Sequence, residues 1–466
     1  MRFTLLNDWL SWQETLHPKK IDPGLERSGE VLRRMGLKPS AYTVITVGGT
    51  NGKGSCVAML EAILSAAGYR AGAYSSPHLL RYNERIRVNG IEATDDELCA
   101  AFARIDEARG GISLSYFEFG TLAAFDIFHR AELDVTVLEV GMGGRLDVVN
   151  LFDADAALVT TIGLDHMKWL GPDRESIAAE KAQIFRPGRP AIYGEADPPQ
   201  SLVAHAKEIA APLYCFKRDF DYKTQGQGWS WWGPGRVIEA LPIPGLQGDF
   251  QLQNAAAVLM TLETLATHRD VLVSREGLSR HPASRDISTS VYVTGRRERP
   301  AQLSVSEHDI KQGLSTVNLP GRFQVSTGTD TVTRIFDVAH NPHAAAALAR
   351  TLRAQPCAGR TLAVFGMLAD KDIAGVVREM RDVVDAWYAA SLSVERGSSA
   401  ERLAQHVRDV IPEAEVYSSH ETVEQAYHAA LLAAGAQDRI VVFGSFYTVA
   451  EALRLDYTKE APINSC

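Results

Sequence analysis

Residues 44–60 read VITVGGTNGKGSCVAML, and the order of their parts decides the fold. A β-branched run ends in Gly48 and Gly49, a loop of Thr50, Asn51, Gly52 and Lys53 follows, and a helix is expected to open at Gly54 and Ser55. A strand that runs through glycines into a helix offers backbone N–H groups and a helix N-terminus to phosphates. Lys53 can neutralise such an anion, and Ser55 can approach a bound cation. The common phosphate-loop wording is GxxxxGK[ST], whereas Gly54 here separates Lys53 from Ser55. A plain glycine-rich turn is the bland alternative, but strand, loop, lysine and helix all stand in the order that phosphate binding needs.

The same strand-then-helix order recurs outward from this stretch. DVTVLEVG, AALVTTIG and PAIYG read as short apolar strands, with a helix expected from about Arg174 to Phe185. Apolar strands without alternation, separated by helices, mark a parallel sheet covered on both faces. From about Gln225 to Leu246 the pattern changes to Gly, Trp and Pro with short β-like pieces, which predicts a small antiparallel annex. GDFQLQNAAAVLMTLETLATH reads as one long helix, and a polar stretch from Arg285 to Ser306 reads as an exposed insertion. After LPGRF at 319–323 the alternation restarts through RIFDVAHN, TLAVFG, DAWYAASL, EVYSS and RIVVFGS. The expected fold is α/β: a P-loop ATPase-type parallel-sheet domain with an annex over 1–315, then a Rossmann-like domain over 316–466.

At roughly 100 to 200 residues per domain, 466 residues leave room for both. Lys plus Arg is 48 against 57 Asp plus Glu, a formal charge of −9 that argues against a protein built to grip nucleic acid or anionic membrane. The five cysteines are widely spaced and never form CxxC, so neither a disulfide framework nor a thiolate zinc site is expected. No secretory leader pattern and no run of 18 apolar residues occurs, and a soluble cytoplasmic protein is expected.

Several polar residues stand where such folds place ligands, at the carboxyl ends of parallel strands. Glu139 ends DVTVLE before the turn of Gly141, Gly143 and Gly144; a metal ligand is one reading and a structural pair with Arg145 the other. Asp165 and His166 follow the next strand. Lys181 falls between Ile177 and Ile184 on the apolar face of its helix, where an ammonium is costly unless paired or chemically altered. A snorkelling lysine remains open there. Asp337, His340 and Asn341 sit at a strand end before Pro342, Arg322 lies at the LPGRF junction, and Asn254 is polar in an apolar helix. Capping or hinge contacts would also explain these five residues.

Taken with HPKKIDPGLER, YSSPHLLRYNERI, SYFEFGTLAAF, LEVGMGGRLDVVN, DHMKWLGPDRESIAAEKAQIFR, FGMLADKDIAG and FGSFYTVAEAL, these residues resemble the Mur ligase superfamily, and its folate branch in particular. The resemblance runs over nearly the whole chain. It implies an ATP-dependent ligase that forms an acyl phosphate and joins it to the amino group of L-glutamate, with dihydropteroate and reduced folates as acceptors. It further implies that Thr50, Asn51, Gly52, Lys53, Gly54 and Ser55 hold the phosphates, and that Asn254, Arg322 and Asp337 supply the other ATP contacts, domain closure completing the site. Ser76, Glu139 and His166 would bind Mg²⁺, at two sites, and Lys181 would be carbamylated to an anionic ligand. Catalytic roles fall to Lys181, His166 and Lys53. The pterin end is implied at Ile21, Asp22 and Pro23, at Ser115, Tyr116, Phe117 and Glu118, and at Leu146, Asp147 and Val148; the aromatics among these could equally be core. Two departures stand out: Pro23 where an aliphatic residue is usual, and a longer connection near 284–306. Small-molecule partners and a monomer are expected. A P-loop small-molecule kinase and a non-catalytic nucleotide-binding regulator are the competing readings; within the ligase class a folylpolyglutamate synthase alone is the narrower one, and another, murein-building Mur ligase is disfavoured by KKIDPGLER and SYFEFG.

Overall fold

The computed structural model describes residues 2–19, 21–37, 42–276, 303–328, 331–355 and 357–460. The expected insertion therefore lies outside the described residues up to 302. The chain divides into two compact units: residues 1–76, 83–243 and 253–317 form one, and 77–82, 244–252 and 318–466 the other.

The first unit is built on strands β1 (Thr43–Gly48), β2 (Ala71–Tyr74), β3 (Ile86–Val88), β4 (Ile91–Glu92), β5 (Val135–Glu139), β6 (Ala156–Val159), β7 (Ala191–Tyr193) and β8 (Leu213–Cys215). Their order across the sheet is β4-β3-β2-β5-β1-β6-β7-β8. From β2 to β8 all pairings are parallel, while β2–β3 and β3–β4 are antiparallel. The sheet is thus mixed at one edge rather than wholly parallel as expected, and β3 and β4, of three and two residues, are too short to show a readable period in the sequence. Strands β1, β5 and β6 are buried along their whole length, which is why they carry no polar alternation. Since β1 lies between β5 and β6, with Val47 opposite Glu139, the phosphate-type loop and the loop after Glu139 leave the sheet side by side.

Strands β9 (Asp221–Gln225), β10 (Gly228–Trp232) and β11 (Val237–Pro242) make the expected annex, an antiparallel three-stranded sheet. Trp231 of β10 donates its indole N–H to the Ala256 carbonyl, 3.1 Å away, fastening the annex to the long helix Asp249–Glu276.

The second unit carries β12 (Gln324–Thr327), β13 (Thr333–Phe336), β14 (Thr361–Phe365), β15 (Ala386–Ala390), β16 (Glu415–His420) and β17 (Arg439–Phe443), in the order β12-β13-β17-β14-β15-β16. Only the β12–β13 pairing is antiparallel. Apolar side chains from both faces of this sheet pack under flanking helices, one core around Phe365, Trp387 and Phe443 and the other around Phe336, Tyr388 and Tyr427.

Candidate active site

The glycines after β1 have steric reasons. Gly49 has φ +138°, and a Cβ there would lie 2.0 Å from the Thr160 hydroxyl oxygen of the neighbouring strand end. Gly52 has φ +86°, and its Cβ would lie 2.7 Å from Oδ1 of Asn254. The loop is therefore pressed between the end of β6 and the long helix, and only glycine fits. Thr160 and Thr161 hold it from one side: the Thr160 hydroxyl donates to the Asn51 carbonyl at 2.6 Å, and Asn51 N–H donates to the Thr161 hydroxyl at 3.0 Å. Thr50 exchanges hydrogen bonds with Gly163, donating to its carbonyl at 3.1 Å and accepting from its N–H at 3.0 Å. The helix opens at Lys53, one residue earlier than expected, with Gly52 in the left-handed region as its N-cap.

Two ammonium groups converge on one carbonyl. Lys53 Nζ donates to the carbonyls of Gly49 at 3.1 Å and Thr50 at 3.2 Å, and Lys181 Nζ donates to the same Gly49 oxygen at 2.8 Å. Lys181 is only 5% exposed, so its head does not snorkel. Burial, with the Lys53 charge beside it, pushes its pKa down from 10.5 to about 7; Asp165 and Asp147 oppose the shift. Asp147 is itself pushed up to about 6 by burial, although the N–H groups of Met142 and Val149 donate to its two oxygens, each at 3.0 Å. The glycine turn after Glu139 packs against the Lys181 helix, where a Cβ on Gly144 would lie 2.8 Å from the Glu180 carbonyl. Arg145 pairs with Glu180 at 3.0 Å rather than with Glu139.

Glu139 is 4% exposed and accepts the Ser76 N–H at 3.3 Å. A buried carboxylate that accepts from a serine-bearing loop, on the strand next to the one leading into the helix that carries Ser55, offers hard oxygen donors of the kind Mg²⁺ takes. Among the described residues, no three His, Cys, Asp or Glu side chains are grouped closely enough to hold a metal ion by themselves. His166 is exposed and left-handed, φ +52°, at the start of the short helix Met167–Leu170, with its backbone N–H bonded to Asp165 at 2.8 Å.

The chain carries the sequence pattern of the Mur ligase middle domain over residues 47–262 and that of the Mur ligase glutamate ligase domain over 321–446. The Escherichia coli (strain K12) dihydrofolate synthase/folylpolyglutamate synthase is 44% identical over 450 residues, which are 97% of this chain and 95% of that protein. The chain belongs to this Mur ligase family. A solved structure of E. coli FolC in complex with DHPP and ADP matches with a TM-score of 0.85 at 43% identity, over 98% of this chain and 99% of that one. A bifunctional folylpolyglutamate synthase/dihydrofolate synthase with Mn, AMPPNP and L-glutamate bound matches with a TM-score of 0.82 at 43% identity, over 97% and 98% of the two chains.

Other residues singled out by the family resemblance also have visible local work. Asp22 accepts from Arg27 at 2.7 Å, Lys19 at 3.0 Å and His17 at 3.2 Å, and these partners, Lys19 foremost, hold its carboxyl below the usual range. Ser115 and Glu118 form the capping box of the helix Tyr116–Arg130, and Glu118 also accepts from Arg27 at 3.0 Å and Ser28 at 3.1 Å. One polar network thus joins the Asp22 loop to that helix. Ile21 and Pro23 are exposed, whereas Leu146 is half-buried and Val148 buried. Phe119 is core, against Trp12 and Phe102; Phe117 is half-buried and covers Gly141, where a Cβ would meet its ring at 2.5 Å. The half-buried Tyr116 lies under the Arg85 guanidinium.

In the second unit, Asp337 pins the LPGRF turn: its carboxylate accepts from Phe323 N–H at 2.9 Å and Ala339 N–H at 2.8 Å. Phe323 has φ +44°, and Asp337 stabilises that strained position. Burial raises the Asp337 pKa while the nearby Arg322 charge lowers it. Arg322 lies over the Phe446 ring, 5.2 Å from its centre, and Asn341 caps the helix Pro342–Ala354. Sequence reading missed Thr160 and Thr161; adjacent threonines at a strand end are the only local sign of their role.

Proposed function

We propose that the protein joins L-glutamate to dihydropteroate and to reduced folates, at the expense of ATP and through an acyl phosphate. The observation that carries this reading is the buried Lys181 amine resting on the Gly49 carbonyl of a glycine-rich, lysine-bearing loop. The names of the relatives and the nucleotide, Mn and L-glutamate bound by a neighbouring structure support it.

In this reading residues 50–55 hold the ATP phosphates, with the Lys53 ammonium and the N–H groups after Asn51 facing the anion, the Thr50 and Asn51 N–H groups tied to Thr161 and Asn254 bracing the loop at Gly52. The assignment of Arg322 and Asp337 to ATP is part of the same proposal. Ser76, Glu139, His166 and a carbamylated Lys181 would hold two Mg²⁺ ions, which when bound supply charge neutralisation for the transferred phosphoryl group. Lys181 suits that role: its amine is desolvated, and a neutral amine adds CO₂ and releases a proton to become a carbamate. A buried cation thereby becomes an anion. The Asp22 loop, the 115–118 turn and residues 146–148 would bind the pterin end. A monomer working in the cytoplasm completes the proposal; among the described residues no helix is long and apolar enough to cross a membrane.

Phosphate release should require ATP, Mg²⁺, L-glutamate and an acceptor together, with dihydropteroate and tetrahydrofolate each sufficing. Release with tetrahydrofolate but none with dihydropteroate reduces the protein to a folylpolyglutamate synthase. Release independent of L-glutamate rejects the ligase reading.

A further inference from the structure

One ion pair, between a buried glutamate and a half-buried arginine, links the phosphate-loop helix to the segment that carries Ser76. Glu61, 6% exposed, lies in the helix Lys53–Ala66, and Arg87 belongs to β3. Arg87 places Nε at 2.8 Å and Nη2 at 2.7 Å from the same oxygen, Oε2 of Glu61. Its Nη1 points the other way, to the Glu84 carbonyl at 3.0 Å and the Ser75 hydroxyl at 3.4 Å. The next residue, Ser76, donates its N–H to Glu139. The second oxygen of Glu61 is buried with no hydrogen-bond partner.

A largely desolvated pair that leaves a carboxylate oxygen unsatisfied contributes little to stability. What a planar guanidinium does supply is direction, because its donors are fixed in one fork and cannot turn independently. We propose that Arg87 is a positioning residue, a strut from Glu61 that sets the distance between the phosphate-loop helix and the Ser75–Ser76 segment, and so orients Ser76 and Glu139 toward a divalent cation. The strut rests on the metal reading of Ser76 and Glu139 given above. Lysine at position 87 can still neutralise Glu61, but its single ammonium cannot reach both ends. No local sequence signal marks the pair, since its members are 26 residues apart and join two elements.

The test is Mn²⁺ binding to the full chain in the presence of AMPPNP, followed by electron paramagnetic resonance, for Arg87→Lys, Ser75→Ala and Glu139→Gln. Arg87→Lys should weaken Mn²⁺ by about tenfold, the scale of lost support behind metal ligands, and lower kcat while leaving the KM for L-glutamate unchanged. Ser75→Ala should shift Mn²⁺ affinity in the same direction by less, with an unchanged melting temperature. If Arg87→Lys does not fold, Ser75→Ala decides, because it removes no charge. Unaltered Mn²⁺ affinity in the folded Arg87 and Ser75 variants, with loss in Glu139→Gln, overturns the strut alone. Unaltered affinity in Glu139→Gln overturns the metal reading, and the strut with it.

Discussion

Lys53 and Lys181 share the Gly49 carbonyl, and burial first, then the neighbouring Lys53 charge, favours the neutral amine of Lys181. Its pKa is lowered to about 7. In the unfolded chain the same amine would titrate near its ordinary value, so between about pH 7 and 10.5 the unfolded state binds more protons than the folded state. The stability cost of burying this lysine is therefore complete below pH 7 and is relieved as pH rises through that window. The chemistry follows the same titration: the neutral amine falls about tenfold per pH unit below the pKa. Activity should drop below about pH 7 and recover with added bicarbonate, and a ¹³C carbamate signal from labelled bicarbonate should vanish in Lys181→Ala. That variant should lose about a hundredfold or more in kcat while still binding ATP, with partial rescue by formate or acetate. Full activity of Lys181→Ala, or no carbamate signal in the unsubstituted protein, rejects the carbamate.

At the scale of elements, the glycine loop works because a strand end and a helix squeeze it from two sides. Gly49→Ala should destabilise the first unit by about 1 to 3 kcal/mol, since it forces a side chain into the Thr160 hydroxyl at a disfavoured φ. It should also weaken ATP binding, because the acceptor shared by Lys53 and Lys181 must move; thermal melting and nucleotide titration check both effects. The strand, the loop and the apolar helix face that carries Lys181 are legible in the sequence because each depends on near neighbours: a β-branched run, a glycine string, and the spacing of 177, 181 and 184; that the Lys181 head is buried rather than snorkelling is left open by that spacing. The capping box of Ser115 and Glu118 is local as well, yet it is hidden because the same residues also resemble a substrate-binding stretch. Ser115→Ala should cost about 1 kcal/mol of stability as a lost helix cap. A raised KM for dihydropteroate beyond that loss would show that the turn also touches substrate. What is not legible is distant pairing. The Asp22–Arg27–Glu118 network, the Glu61–Arg87 pair and the recruitment of residues 77–82 and 244–252 into the second unit all join segments that no periodicity connects. The left-handed, exposed position of His166 likewise depends on how the loop after β6 packs, not on its own residue types.

At the scale of the whole molecule, one phosphate loop must serve two acceptors if the protein is bifunctional, and this separates the variants into two classes. Lys53 and Lys181 act on the shared phosphoryl step, so each substitution to alanine should depress the dihydropteroate and tetrahydrofolate reactions by the same factor. Lys53→Ala removes a phosphate-neutralising charge and should leave less than about one hundredth of the turnover in both reactions, with the fold intact by circular dichroism. Asp22 lies elsewhere, held by Arg27, Lys19 and His17 in a network that reaches Glu118. If this loop recognises the pterin of dihydropteroate, Asp22→Ala should raise the KM for dihydropteroate and alter the ratio of the two activities without changing kcat for ATP consumption at saturation. The decisive measurement is that ratio in all three variants. A constant ratio in Lys53→Ala and Lys181→Ala beside an altered one in Asp22→Ala would place the acceptor choice in the N-terminal loops and the chemistry in the glycine loop. A ratio altered by Lys53→Ala would mean that the two acceptors do not use the phosphate loop in the same way, and the shared-step reading would fail.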